Sequence, residues 1–539
     1  MLSYPDVYEI GVSNPALQIL YSQINDATPA FAERAYCPWP DMADLMRTAG
    51  VPLWTLETFA PVSTCDLWGF TLPHELCYTN VLEMLDLAGV PLHAAERDGE
   101  DPIVLGGGPA VANPWPLAPF FDAFFIGEVE DQLGAIIAAT EQDGREGRLQ
   151  ALAAVPGVWV PGRSAGPAQR QVFMGFSASQ PVLRPVVPVL EAVHDRVVVE
   201  VMRGCTAGCR FCQAGMWYRP VRERPVDLVV EAADRLLDET GCDEVSLLSL
   251  SSCDYGPVAE ALTRIRTLRP GLRVSLPSLR IDSAAQSLSG FAADQRGSIT
   301  LAPEAGTQEL RDTINKGVDE RQFDEAVRAT FKGGFTGLKL YFMIGLPGEA
   351  DDDVLGIARM AGHATRLAKE IGKGRARVSV AVSSYVPKAH TPFELEPFAG
   401  EQALRRRQQL VRQAAPRGVR VAFHDVAASV VEATLARGGP GTDRLVEEAW
   451  RHGARFDGWS EHFDVRRWEE AAKATGIGLG EPRVARASWL DAVDARLSAG
   501  FFADELGRSR DGELTEDCRD GACSACGVCA GDIQMDLVT

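Results

Sequence analysis

Between Arg196 and Tyr385, short β-branched runs alternate with stretches of helical periodicity. That alternation restricts the fold more than any other feature of the 539-residue chain. Six strand candidates stand out: Val197–Met202, Glu244–Leu250, Leu272–Leu276, Ser298–Leu301, Gly337–Ile344 and Arg377–Tyr385. Helical patterns such as Pro225–Glu239 and Gln322–Phe331 lie between them. Strand–helix–strand crossovers all turn in one hand, so a long series of them curls. Six units in about 190 residues fall short of the eightfold closed form and predict a partial (β/α)6 barrel.

Residues 1–160 repeat the alternation on a smaller scale. Val7–Ile10 reads as an opening strand and Ala16–Ile24 as an amphipathic helix. The apolar run Cys65–Phe70 precedes helical spacing over His74–Ala88. Ile103-Val104-Leu105 stops at Gly106-Gly107-Gly108-Pro109, and Phe121–Ile126 closes at Gly127-Glu128. This predicts a Rossmann-like parallel sheet domain with crossover helices. Gly162, Ser164, Gly166 and Pro167 interrupt any period, so residues 161–190 are expected to be a connector, with the barrel over 191–400. Beyond Pro392 the pattern turns helical and charged, with helices expected at 401–416, 426–437, 443–453 and 464–475 inside a helical region of residues 401–500. Residues 501–539 form a polar, Cys-rich tail. The fold class is α/β.

With 53 basic and 74 acidic side chains the net charge is −21, and a surface that negative does not coat itself on nucleic acid or anionic lipid without a local basic patch. The one dense basic stretch is Arg405, Arg406 and Arg407 with Arg412, Arg417 and Arg420. It reads foremost as a solvated helix face balanced by nearby acids. Nucleic acid is the alternative partner, weakened by the lack of interleaved aromatics. No apolar run reaches the roughly 18 residues of a membrane span. Met1–Asp6 lacks the basic and apolar segments of a secretory signal, so a cytoplasmic location is expected.

Seven of the twelve cysteines are clustered. Cys205, Cys209 and Cys212 form C-x3-C-x2-C immediately after the first barrel strand. In a reducing compartment such clusters read as metal ligands. Three thiolates on a tight loop can hold three corners of a cubane [4Fe–4S] cluster and leave the fourth iron open to a small molecule. Gly204 and Gly208 let the backbone wrap closely. A zinc knuckle with a distant fourth ligand is the alternative, although structural zinc usually shows paired cysteines. Cys518, Cys523, Cys526 and Cys529 form C-x4-C-x2-C-x2-C around the turns at Gly521 and Gly527, a second metal site suited to another iron–sulfur cluster or to zinc.

The triple motif is joined by Tyr218–Arg224, Pro303–Thr307, Ile314–Gly317, Gly345–Glu349 and Val386–Phe393. Together they resemble the radical S-adenosylmethionine (SAM) superfamily, in the branch with an N-terminal cobalamin-binding-like domain. The resemblance spans nearly the whole chain. It implies that Cys205, Cys209 and Cys212 are catalytic and hold a cluster whose open iron chelates the amino and carboxylate groups of SAM. Reduction by a flavodoxin- or ferredoxin-like donor then releases a 5′-deoxyadenosyl radical that abstracts hydrogen from a substrate. It further implies that Phe211 lies near the adenine, that Arg280 and Glu304 take the SAM carboxylate and ribose, and that Gly345 admits the adenine against backbone. Ser251 and Ser252 stand where many relatives place a Gly-Gly-Glu triplet that grips the methionyl amino group, and that acidic triplet is missing here. His390 is either a proton donor or a structural histidine, and His74 is expected to be structural. Gly106, Gly107, Gly108 and Gly127-Glu128-Val129-Glu130 match strand-end loops of cobalamin domains. The early loop Gly11-Val12-Ser13-Asn14-Pro15 lacks the D-x-H-x-x-G histidine. Cobalt would therefore have no histidine ligand, or cobalamin does not bind.

Three functions follow as expectations. The first is a radical SAM enzyme acting on a substrate the sequence does not name, with RNA or a ribosomal component among the options. The second is cobalamin-dependent methyl transfer. The third is a non-enzymatic, zinc-stapled binding module.

Overall fold

The computed structural model describes residues 1–190, 196–276, 280–281, 297–371, 376–480 and 486–538. The N-terminal sheet contains β1 (Leu2–Tyr4), β2 (Arg34–Tyr36), β3 (Leu67–Thr71), β4 (Ile103–Gly107), β5 (Ala123–Phe125) and β6 (Val158–Trp159), in the order β2-β1-β3-β4-β5-β6. β1 to β5 pair in parallel, and β6 runs antiparallel at the edge. The opening strand therefore precedes Pro5, and Val7–Ile10, expected to be extended, runs into the short helix Tyr8–Gly11 instead. The next helix, Pro15–Ala27, starts where the Asn14 side chain accepts from the Leu17 amide at 3.2 Å and Pro15 occupies the first turn. Strand order reverses between β1 and β3, which opens a crevice over the strands' C-terminal ends.

The expected barrel strands are all present. β8 (Val197–Glu200), β11 (Glu244–Leu248) and β12 (Arg273–Ser275) make one parallel arc. β13 (Ser298–Glu304), β14 (Gly337–Ile344) and β15 (Arg377–Ser384) make a second. Alternate residues of β13 and β15 are buried, the period-two pattern of a sheet with helices on its outer face. One correction concerns the partial (β/α)6 count. Arg420–Phe423, inside the region expected to be helical, is a further strand, β16, added in parallel to β15. The four helices expected beyond Pro392 all form, at Glu401–Ala414, Val426–Ala436, Asp443–Arg451 and Val465–Thr475.

That C-terminal region does not stand apart. Val431, Leu435, Leu445, Val446 and Trp468 share one core with Trp68, Phe70, Val81 and Leu85 of the N-terminal domain. Residues 161–190 are largely irregular, but β7 (Ala168–Gln169) pairs with β17 (Val493–Asp494). The tail opens with one more helix, Ala499–Asp511. Among the described residues no helix is long and apolar enough to cross a membrane.

Candidate active site

β8 leads into β9 (Met202–Arg203), which pairs antiparallel with β10 (Arg222–Glu223), and the cysteine loop lies between these two short strands. Gly204 has φ +87° and packs on Pro220, whose carbonyl oxygen would lie 2.3 Å from any added Cβ, so only glycine fits. The Asn315 amide donates to the carbonyls of Ala207 and Gly208, at 3.2 Å each. The Arg210 amide donates to the Ile314 carbonyl at 3.0 Å. Cys212 caps the helix Gln213–Trp217. The segment Ile314–Gly317, one of the motifs noted above, thus serves to pin the cysteine loop.

The three sulfurs act on one another. Burial raises the Cys205 thiol, and Cys209 raises it further against the pull of Arg280. Burial pushes the Cys212 thiol up to about 12, with Cys209 and Cys205 adding to the shift and Lys316 opposing it. Lys316 pairs with Glu304 at 3.2 Å. Burial works against the Lys316 charge but is outweighed by Glu304 and Cys209, so that ammonium stays firmly protonated. Half-buried thiols that repel one another favour a cationic group among them. Three thiols on one tight loop match the ligand number of a cubane cluster that keeps one iron open, whereas a structural zinc site calls for a fourth ligand. The donor set fits a cluster.

The remaining expected site residues divide into two groups. Phe211 packs with Ala305, Leu310 and Leu346 at the ends of β13 and β14. Glu304 ends β13 with φ +68°, and the Arg280 amide donates to the Cys253 sulfur at 3.0 Å. Gly345 follows β14 with φ +93°, and its amide donates to Glu349 at 2.7 Å. Phe211 lies on the cysteine loop and the charges of Glu304 and Arg280 reach its surroundings, whereas Gly345 faces Leu404 and Ala399. Ser252 is fully buried and donates to the Leu247 carbonyl at 2.8 Å, which makes it a strand cap. His390 is buried, which pulls its imidazole down to about 4, and its Nε2 meets the Ala112 carbonyl at 3.0 Å, tying barrel to N-terminal domain. His74 lies just before the helical turn Glu75–Cys77.

A cavity of about 870 Å³ runs from the crevice of the N-terminal sheet to Gly204, next to the cysteine loop. Gly106, Gly107, Gly108, Asn14 and Tyr218 line it. Two of these glycines also answer to packing: a Cβ on Gly106 would strike the Phe124 ring and one on Gly108 the Leu72 carbonyl. Gly127, Glu128, Val129 and Glu130 line the cavity too, and the two carboxylates also pair with barrel arginines. Glu128 takes a bidentate contact from the fully buried Arg222, and Glu130 pairs with Arg203 at 2.5 Å. Arg405 and Arg406 pair with Glu401 and Asp351 on the exposed helix face, whereas Arg407 turns inward to the buried Glu349.

Sequence reasoning missed the contacts of the tail with the cysteine loop. Arg210 pairs with Glu505 at 2.9 Å, and Thr206 donates to Asp517 at 2.5 Å. Arg519 reaches the Asp254 carbonyl at 2.9 Å. The only signal was that charged residues interleave with both cysteine groups.

Residues 16–161 match the family described as radical SAM proteins, N-terminal, and residues 199–361 match the radical SAM superfamily. An uncharacterized protein of Methanocaldococcus jannaschii is 26% identical over 441 residues, covering 81% of this chain and 87% of its own. The cobalamin-dependent S-adenosylmethionine radical enzyme OxsB, solved with aqua-cobalamin and SAM bound, shares the fold at a TM-score of 0.52 with 14% identity, over 94% of this chain and 78% of that one. The radical SAM methyltransferase TsrM from Kitasatospora setae aligns at 0.49 with 15% identity, over 71% of this chain and 74% of that one. The binding-module reading is thereby set aside, and the chain is an enzyme of the radical SAM superfamily that carries the N-terminal radical SAM domain ahead of its barrel.

Proposed function

We propose that the enzyme cleaves SAM reductively through a [4Fe–4S] cluster on Cys205, Cys209 and Cys212, and uses the resulting radical to modify a substrate. The observation that carries this reading is the gathering of three mutually interacting thiols at the C-terminal ends of the barrel strands, where barrel active sites lie. When bound, the cluster supplies the electron that splits the SAM sulfonium and yields the 5′-deoxyadenosyl radical. The chain's own residues bind and orient. Arg280 offers a guanidinium for the SAM carboxylate. Glu304, held by Lys316, offers an acceptor for the ribose hydroxyls. Phe211 gives the adenine an apolar wall, and Gly345 exposes backbone to it. A flavodoxin- or ferredoxin-like protein is the electron donor in this reading. Anaerobic reconstitution with iron and sulfide should give a brown protein that forms 5′-deoxyadenosine when reduced, and Cys209→Ala should abolish that product. Iron that never exceeds trace amounts after reconstitution would overturn the reading.

A second reading, cobalamin-dependent methyl transfer, is favoured by the 870 Å³ cavity that joins the N-terminal crevice to Gly204. OxsB, a cobalamin enzyme by its description, has this fold. Asn14 lines the cavity at the loop where a histidine ligand would stand, so cobalt would bind without one. Stoichiometric cobalamin after reconstitution, with S-adenosylhomocysteine among the products, supports it. A protein that cleaves SAM but excludes cobalamin leaves only the first reading.

A further inference from the structure

We propose that Cys518, Cys523, Cys526 and Cys529 hold a second [4Fe–4S] cluster, and that it passes electrons to the cluster of Cys205, Cys209 and Cys212. The relay half of this proposal rests on the function proposed above, whereas the site does not.

The tail cysteines pack directly behind the catalytic loop. Cys526 and Val528 are buried against Met216, which lies on the helix capped by Cys212, and against Phe501. The turn is fixed by Gly527 at φ +92°, where an added Cβ would approach the Ser498 amide at 3.1 Å, and by the Ser498 amide donating to the Cys526 carbonyl at 2.9 Å. On either side, Asp517 holds Thr206 of the catalytic loop, and Arg519 holds Asp254, which in turn lies 3.6 Å from Arg280.

Arg219 is the second, independent observation. It comes from the run Tyr218–Arg224, it is 3% exposed, and among the described residues its Nη1 has no hydrogen-bond partner. Its Nε donates to the Gly215 carbonyl at 2.9 Å, and its guanidinium packs over the Phe501 ring. Its Nη2 lies 3.9 Å from where a Cβ on Gly208 of the catalytic loop would stand, while its charge acts on both Cys518 and Cys529. A buried guanidinium with an unsatisfied donor and no carboxylate partner is costly unless an anion completes it. A cluster held by four thiolates carries net negative charge and sulfur acceptors, which is what Arg219 lacks.

The placement suits electron entry. Cys523 and Cys529 are exposed, whereas Cys526 lies buried toward the catalytic loop. One electron from a reduced flavodoxin-like donor would reduce the tail cluster at the surface. That cluster would be reoxidised as the catalytic cluster takes the same electron, with no atom transferred.

The site is tested in the full-length triple variant Cys205→Ala/Cys209→Ala/Cys212→Ala after anaerobic reconstitution. It should retain about four iron and four sulfide and give an EPR signal on reduction with dithionite. Zinc without sulfide, or no metal, would overturn the site. Iron retained by the complementary variant Cys523→Ser/Cys529→Ser reports on the catalytic cluster alone, so the two failures are distinguishable. For the relay, the ratio of 5′-deoxyadenosine formed with reduced flavodoxin to that formed with dithionite should fall at least tenfold in Cys523→Ser/Cys529→Ser. An unchanged ratio overturns it. In the unaltered protein, freeze-quench EPR after mixing with reduced flavodoxin should show the tail signal before the catalytic one, and the reverse order also overturns the relay.

Discussion

The guanidinium of Arg210, between two cysteines of the catalytic loop, meets the carboxylate of Glu505 at 2.9 Å with both side chains buried, so the loop and the tail helix form one unit. The same guanidinium donates to the carbonyls of Asp312, Thr313 and Glu513, leaving it no route to water. Glu505→Ala strands that charge, and breaking a buried pair from one side costs about 3–5 kcal/mol. The expected result is a lower urea midpoint together with faster proteolysis of the tail. Glu505→Gln, which keeps an acceptor, should lose less. A midpoint unmoved by Glu505→Ala would show that the tail is not part of the loop's support.

Glu128 separates a clamp from a ligand site. Its carboxylate receives two bonds from Arg222 and one from the Phe173 amide. Burial works to raise that carboxyl but is outweighed by Arg222 and Arg203, which hold it below the usual glutamate range. Glu128→Ala should therefore destabilise the ligand-free protein by about 3–5 kcal/mol, read by chemical denaturation. If the residue served only a bound cofactor, the ligand-free protein would be unaffected and cofactor affinity alone would fall.

The contrast between these two pairs explains what could be read in advance. The barrel strands were legible because Val197–Val199, Leu338–Ile344 and Val378–Val382 carry buried β-branched and apolar side chains on a period of two. β16 was not, because Arg420-Val421-Ala422-Phe423 has no buried residue and sits in a basic stretch that reads as helix surface. The cysteine motifs announced themselves by spacing. Their mutual placement did not, since Arg210 and Glu505 are 295 positions apart and nothing local links them. Likewise the glycine–glutamate loop after β5 resembles a ligand loop, and only the fold shows Glu128 facing Arg222.

His390 predicts an acid-labile interface. Burial pulls its imidazole down from an ordinary 6.5 to about 4, so the folded protein keeps it neutral while the unfolded chain takes up a proton below 6.5. Stability is then lost as pH falls from about 6.5 toward 4, by on the order of 3 kcal/mol in full. His390→Gln, which still offers a donor to the Ala112 carbonyl, should lose less stability between pH 7.5 and pH 5 than the wild type. Equal losses in the two proteins would remove His390 as the cause.

Glu349 carries the opposite sign in an overlapping window. Burial pushes its carboxyl up to about 7, against the pull of Arg407 at 3.0 Å and of the Gly345 amide. An acid raised in the folded state contributes stability that is present in full below its unfolded value near 4.5 and is lost as pH rises through about 7. Between about pH 4.5 and 6.5 this slope opposes that of His390, so the wild type should show a nearly flat profile from the pair, and only single variants reveal either term. Glu349→Gln removes the titration while keeping an acceptor for Gly345. Measured against the wild type, its unfolding free energy should improve as pH is raised from 5 to 8, by up to about 3 kcal/mol. Parallel curves across that range would mean that Glu349 stays ionised throughout and that Arg407 outweighs its burial.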